Sequence, residues 1–265
     1  MIPLLRLESK LISMRASTRL ILISSLLIGI FVPLFMGHIY GQIELSKESG
    51  EGLGFLAGIQ EMLGNDMAEI SGRSLMLRNF YFIPFLMLLL TGETYASQRD
   101  SNILRELLCF PVSRLQVFLS KMIILYLVAL ISLVFIGLPS CFIASLSFSA
   151  GAWYDLLLGY LLCWMSDLAL IGIGSCVAAF TRSGGTTAIV TIFFLLLDLL
   201  ARGVLKITSF VETADHPLIP YFPGSALAAW EQWSSGFSIH SIIGLIMLLV
   251  VSQTIAALLF INQDV

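Results

Sequence analysis

Five ionisable side chains stand inside long apolar runs, where charge is costly: Glu93, Asp167, Asp198, Arg202 and Lys206. A charge in hydrocarbon costs roughly 2.5 kcal/mol or more unless it is paired or faces a polar cavity. Glu93, Asp167 and Asp198 are therefore candidates for lining a translocation path. The competing role is hydrogen bonding between neighbouring helices, and for Glu93 and Asp167 both roles stay open. Asp198, Arg202 and Lys206 recur at i, i+4 and i+8, and Asp ahead of Arg is the favourable order for an intrahelical pair. Arg202 and Lys206 can also carry their heads to an interface.

Other reactive residue types do not assemble into a centre. His38, His216 and His240 come from three separate segments, without H-E-x-x-H spacing. Ser166 adjoins Asp167 but has no histidine on its helix, and no metal is expected. The four cysteines, Cys109, Cys141, Cys163 and Cys176, lack metal-ligand spacing and read as small hydrophobes. Gly50, Gly52 and Gly54 have no Lys-Ser/Thr after them, so they read as a hinge rather than a phosphate loop. Nowhere does a G-x-x-x-x-G-K-[ST] occur, so any ATP chemistry would belong to another polypeptide.

The elements that must position these residues follow from composition. Hydrophobic residues make up 58% of the 265 and charged ones 12%, with a mean hydropathy of +0.95. Soluble domains carry about 25% charge, and a helix needs about 20 apolar residues to cross a bilayer. Continuous runs exclude a barrel's alternation. The expected fold is an all-α polytopic membrane protein with six spans, at about 20–37, 79–97, 119–146, 152–180, 187–205 and 239–261. Gly137 and Pro139 are expected to break the third near its outer end. No cleavable leader is expected.

Residues 1–19 form an expected interfacial helix: Leu4, Leu7, Leu11 and Met14 on one stripe, Arg6, Lys10, Ser13 and Ser17 opposite. Residues 38–78 hold six acids against Lys47, Arg73 and Arg78. With both termini inside, nine of the fourteen basic residues, Lys121 among them, fall on the cytoplasmic side, which orients the chain in the inner membrane. The 38–78 and 206–238 loops are then extracytoplasmic, and Trp153, Trp230 and Trp233 are expected in the outer aromatic belt.

Between the second and third spans lies QRDSNILRELLCFPVSRLQVF, residues 98–118. Asp100 or Ser101 can cap a helix about Ser101 to Phe110, in which Ile103, Leu104, Leu107 and Leu108 share one face and Asn102, Arg105 and Glu106 another. Pro111 ends it. A minimal helical hairpin needs only 2–8 residues, and this connection spends about twenty.

This stretch, running on to Lys121, resembles the cytoplasmic signature of type-2 ABC transporter permeases, especially the NosY-like branch. The matching positions are Asp100, Ser101, Leu104, Leu107, Leu108, Pro111, Val112, Ser113, Arg114 and Lys121. Gln98 and Asn102 stand where the family commonly has Glu and Gly. The resemblance implies a type-2 ABC exporter (type V) fold and a membrane subunit that pairs with a second copy or a related permease. Two separate ATPase subunits would bind Mg-ATP, the chain itself holding no cofactor. Residues 98–118 would be the coupling segment, with Asp100, Ser101, Leu104, Arg105, Leu107, Leu108, Pro111, Val112, Ser113 and Arg114 at the ATPase contact. An extracytoplasmic partner is compatible; nucleic acid is not expected. The alternatives are an intramembrane hydrolase or transferase and an ATP-independent secondary transporter.

Overall fold

Backbone groups in apolar runs of this length have only each other as partners, and the chain answers with helices. The computed structural model describes residues 2–49, 71–72, 74–78, 83–101, 112–147, 153–209, 218–230 and 238–262, without the side chains of 2, 40–49, 147, 153, 155 and 206–209. In order, α1 is Ile2–Ser13, α2 Ala16–Ser49, α3 Ile83–Gly92, α4 Arg114–Ser147, α5 Trp153–Ala178, α6 Gly184–Ser209, α7 Pro223–Leu227 and α8 Ile239–Asn262. Residues 74–78 are also helical. Among the described residues, five helices are long and apolar enough to cross a membrane: α2, α4, α5, α6 and α8. The chain is a multi-pass, all-helical membrane protein.

The bundle is built around α3. Seven of its ten residues are buried, and it packs against α2, α5 and α6, while α2 runs along α4 and α5 along α8. Peripheral α2, α6 and α8 leave Phe31, Phe193, Leu200 and Val250 exposed, as a lipid-facing helix should. α3 continues into a π-helical turn, Glu93–Ser97, and one more α turn, Gln98–Asp100. Thr91 and Thr94 return their hydroxyls to the carbonyls of Met87 and Leu90 just before it, a pattern that bends helices. Gly92 and Gly184 let α3 and α6 touch there: a Cβ on Gly92 would lie 2.7 Å from the Gly184 Cα.

The first apolar stretch, Ala16–Ile39, falls where the first span is expected, and its helix α2 runs on to Ser49. One expectation is corrected: α4 passes unbroken through Gly137 and Pro139. Pro139 has no N–H for the Phe135 carbonyl, and Pro33 none for that of Gly29. These positions face each other, a Cβ on Gly29 falling 2.7 Å from Phe135 O. Close packing of α2 on α4 holds both helices straight enough to continue.

Candidate functional site

Asp167 is the twelfth residue of the apolar stretch Leu156–Ala178, which puts it midway along the span. Its partner is Arg78: Nη1 donates to Oδ1 at 3.2 Å and Nη2 to Oδ2 at 2.5 Å. Nη2 also donates to Ser132 Oγ at 3.1 Å, and Nη1 to Cys163 Sγ at 3.4 Å. Arg78 is wholly buried and Asp167 nearly so. The bidentate fork is the geometry in which Arg and carboxylate match best. Arg78 therefore does not belong to a solvated outer loop, as its sequence position implied. It belongs to the helical residues 74–78 and supplies the counter-charge that a carboxylate at this depth requires.

Asp198 organises a second cluster. Its Oδ2 accepts from Arg202 Nε at 2.9 Å and from the Gly224 backbone N–H at 3.0 Å, while Arg202 Nη1 donates to Ser225 Oγ at 3.2 Å. Gly224 and Ser225 lie in residues 218–230, which the sequence reading placed wholly in a surface loop. Ile219–Tyr221 is a 3-10 turn, and Pro223 opens α7 where its missing N–H costs nothing. The segment dips among the spans: the Leu227 carbonyl accepts the Ser166 hydroxyl at 2.7 Å, one residue from the middle of α5. Trp230 is buried against Leu75, Leu133 and Leu162. It is a core residue, not part of an outer aromatic belt.

Gly224 is the tight point of this insertion, because a Cβ there would overlap the Asp198 carboxylate and the Arg202 guanidinium. Gly224→Val is expected to cost about 1–3 kcal/mol by overpacking and to lower the thermal midpoint in detergent. Gly203, whose Cβ would meet open space, is the control, and Gly203→Ala should leave the midpoint in place.

Between the α7 segment and the neighbouring spans lies a cleft of about 830 Å³, with Ser166 and Asp167 on one wall and Leu195, Leu199 and Arg202 on another. Ser166 has spent its hydroxyl on Leu227, and both Asp167 oxygens are held by Arg78. Among the described residues of this cleft none is poised as nucleophile and base. Of the three path candidates, Asp167 lines this cleft, Asp198 sits behind the arginine that lines it, and Glu93 lies at the other end of the bundle.

At that end the termini of several helices are tied together. Glu93 accepts from Ser17 Oγ at 2.7 Å and lies 3.7 Å from Arg15 Nη1. Burial pulls the Arg15 guanidinium below its usual pKa, and Glu93 pulls it back up. Lys121 is fully buried and donates from Nζ to Glu8 Oε1 at 2.7 Å and to Gln98 Oε1. On α1, Glu8 and Ile12 are buried, while Leu7 and, just past its end, Met14 are exposed. Arg99 donates from Nη1 to Ala179 O and from Nη2 to Thr181 O, both at 2.5 Å, taking up carbonyls past the end of α5.

The residues of the coupling segment divide. Asp100 and Ser101 are exposed, and Ser101 donates to the Gln98 carbonyl at 3.3 Å. Leu104, Arg105, Leu107, Leu108 and Pro111 lie outside the described residues, as does the rest of the expected 102–110 helix. Val112 packs on the core. Ser113 and Gln116 make a reciprocal capping box at the start of α4, Ser113 N to Gln116 Oε1 at 3.1 Å and Gln116 N to Ser113 Oγ at 3.2 Å. Arg114 Nη1 donates to Ile261 O at 3.0 Å, near the end of α8.

Sequence reasoning missed Arg78 as the partner of Asp167, and Glu8 and Lys121 as a pair. The available signal was arithmetic: a carboxylate at mid-span demands a cation, and Lys121 sits near the start of the apolar stretch Arg114–Leu146. His240 Nδ1 lies 3.3 Å from Tyr221 Oη, His38 is exposed, and His216 lies outside the described residues. Among the described residues no three His, Cys, Asp or Glu side chains cluster as metal ligands.

Residues 19–198 match the family model described as ABC-2 family transporter protein, 180 of the 265 residues. No curated protein matches the chain.

Proposed function

The chain belongs to the ABC-2 family of transporter proteins, and from that premise we propose that it is the permease subunit of an ABC exporter of the NosY-like branch. In this reading the helical residues 74–78 and α3 with its π turn complete a sixth span, second in chain order. Both termini are cytoplasmic, in the inner membrane. Residues 98–118 couple the permease to a pair of separate ATPase subunits, and a second permease copy completes the assembly. ATP-driven closure of the ATPase pair presses on the segment and tilts the spans attached to it.

One observation carries the proposal: both flanks of residues 102–111 are anchored on the bundle. On one side Gln98 holds Lys121 of α4 and Arg99 holds the end of α5. On the other, Ser113 caps α4 and Arg114 reaches the end of α8. A push on the intervening residues has rigid attachments through which to move three spans.

Co-purification tests it. Leu107→Asp and Arg114→Glu in the full chain should each abolish recovery of the ATPase with the permease while leaving the permease in the membrane. Retained assembly and transport in both variants would remove the docking assignment.

A further inference from the structure

The cleft beside α7 has a shape and a charge that select an occupant. Its α6 wall consists of Ile192, Leu195, Leu196, Leu199 and Arg202, a stripe at three- and four-residue spacing with a guanidinium at one end. Ile192 to Arg202 is ten residues, about 15 Å at 1.5 Å per residue. That is half of a hydrocarbon core of about 30 Å, the depth of one leaflet. Arg202 lies in the last turn of the apolar stretch Gly184–Leu205, at the depth where that leaflet places its headgroups. The volume, about 830 Å³, is in the range of small-molecule sites, roughly 300–1,000 Å³.

The polar atoms say which headgroup. Asp167 shows the cleft a carboxylate whose two oxygens are already bound. Arg202 has five N–H donors, of which Nε and one on Nη1 are used. It makes no further bond among the described residues, and its side chain keeps 20% of its surface exposed. The donors left over fit acceptor oxygens in a fork, as phosphate presents them.

We infer that this cleft binds a membrane amphiphile with an anionic phosphate head, its hydrocarbon along the Ile192–Leu199 stripe and its head on Arg202. The site goes beyond the permease reading and does not depend on it, since binding needs no ATPase.

Trp230 lines the same cleft and reports on its contents. The full chain is placed in nanodiscs of digalactosyldiacylglycerol, a lipid without phosphate, into which either phosphatidylglycerol or the same galactolipid, brominated on the acyl chain, is titrated, and the Trp230 signal is isolated as the difference from Trp230→Phe. Phosphatidylglycerol should quench at about one tenth of the mole fraction that the phosphate-free galactolipid requires, the effect of one charge-assisted contact. Arg202→Gln should bring the two lipids together. Equal quenching in the native chain, or a preference that survives Arg202→Gln, overturns the inference. So does displacement of the lipid by inorganic phosphate alone, which would mark a free-anion site. Should Arg202→Gln fail to fold, the native-chain comparison decides by itself. Because ATPase co-purification is not used, failure here and failure of the permease reading are told apart.

Discussion

Asp167→Leu is expected to be among the most damaging single substitutions in the bundle, lowering stability by about 3–5 kcal/mol, because it strands a buried guanidinium without its counter-charge. Arg78 is wholly buried, and among the described residues its bonds to Ser132 and Cys163 are to neutral groups, so Asp167 is the counter-charge the structure describes for it. Arg78→Met should cost a similar amount, now by stranding the carboxylate. The double variant Arg78→Met/Asp167→Leu removes both charges together and replaces them by apolar groups of comparable size. Exchanges of that kind are often neutral or stabilising, so the double variant should recover most of the loss. The measurement is the thermal midpoint in detergent for the four members of the cycle. Additive losses would mean that the pair acts as two independent residues, contrary to the geometry. Recovery of the fold with loss of transport would separate scaffold from path, and would show that the charge at mid-span is needed for more than stability.

How much of this was legible beforehand depended on whether a feature is local. The apolar runs of α2, α4, α5, α6 and α8 are one-dimensional signals, and each gave a helix near its expected place. The break expected in α4 was misjudged because a proline's cost is set by the neighbouring helix. Pro33 and Pro139 are tolerated where Gly29 lets two backbones meet. Residues 218–230 were read as surface because prolines and aromatics look like a loop in isolation. Only the Asp198 and Ser166 acceptor and donor positions on other helices reveal where α7 goes. Asp167 was recognised as needing a partner, yet its partner is 89 positions away, and spacing arguments do not reach that far.

The same blindness applied to Lys121, and the consequence there is sharp enough to test. Lys121 and Glu8 are both fully buried, and among the described residues Glu8 Oε2 has no hydrogen-bond partner, so the Lys121 ammonium is the cation in direct contact with the carboxylate. Lys121→Met should therefore cost about 3–5 kcal/mol and release α1, read out as protease cleavage within residues 1–15 at a rate well above that of the native chain. Glu8→Leu/Lys121→Met should restore protection. Gln98 explains why the pairing takes this form. Lys121 donates to a neutral amide there, whereas the resembled family commonly has an acid at that position. Gln98→Glu would set two buried carboxylates against one ammonium and leave a negative charge uncompensated, so it should expose α1 to protease almost as strongly as Lys121→Met. Exchanging the two, Glu8→Gln/Gln98→Glu, moves the counter-charge from α1 to the entry of the coupling segment and should restore protection. If it does, the departure at residue 98 is a relocation of one carboxylate rather than the loss of one. If the exchanged chain stays as cleavable as Gln98→Glu, the charge must lie on α1 for that helix to dock.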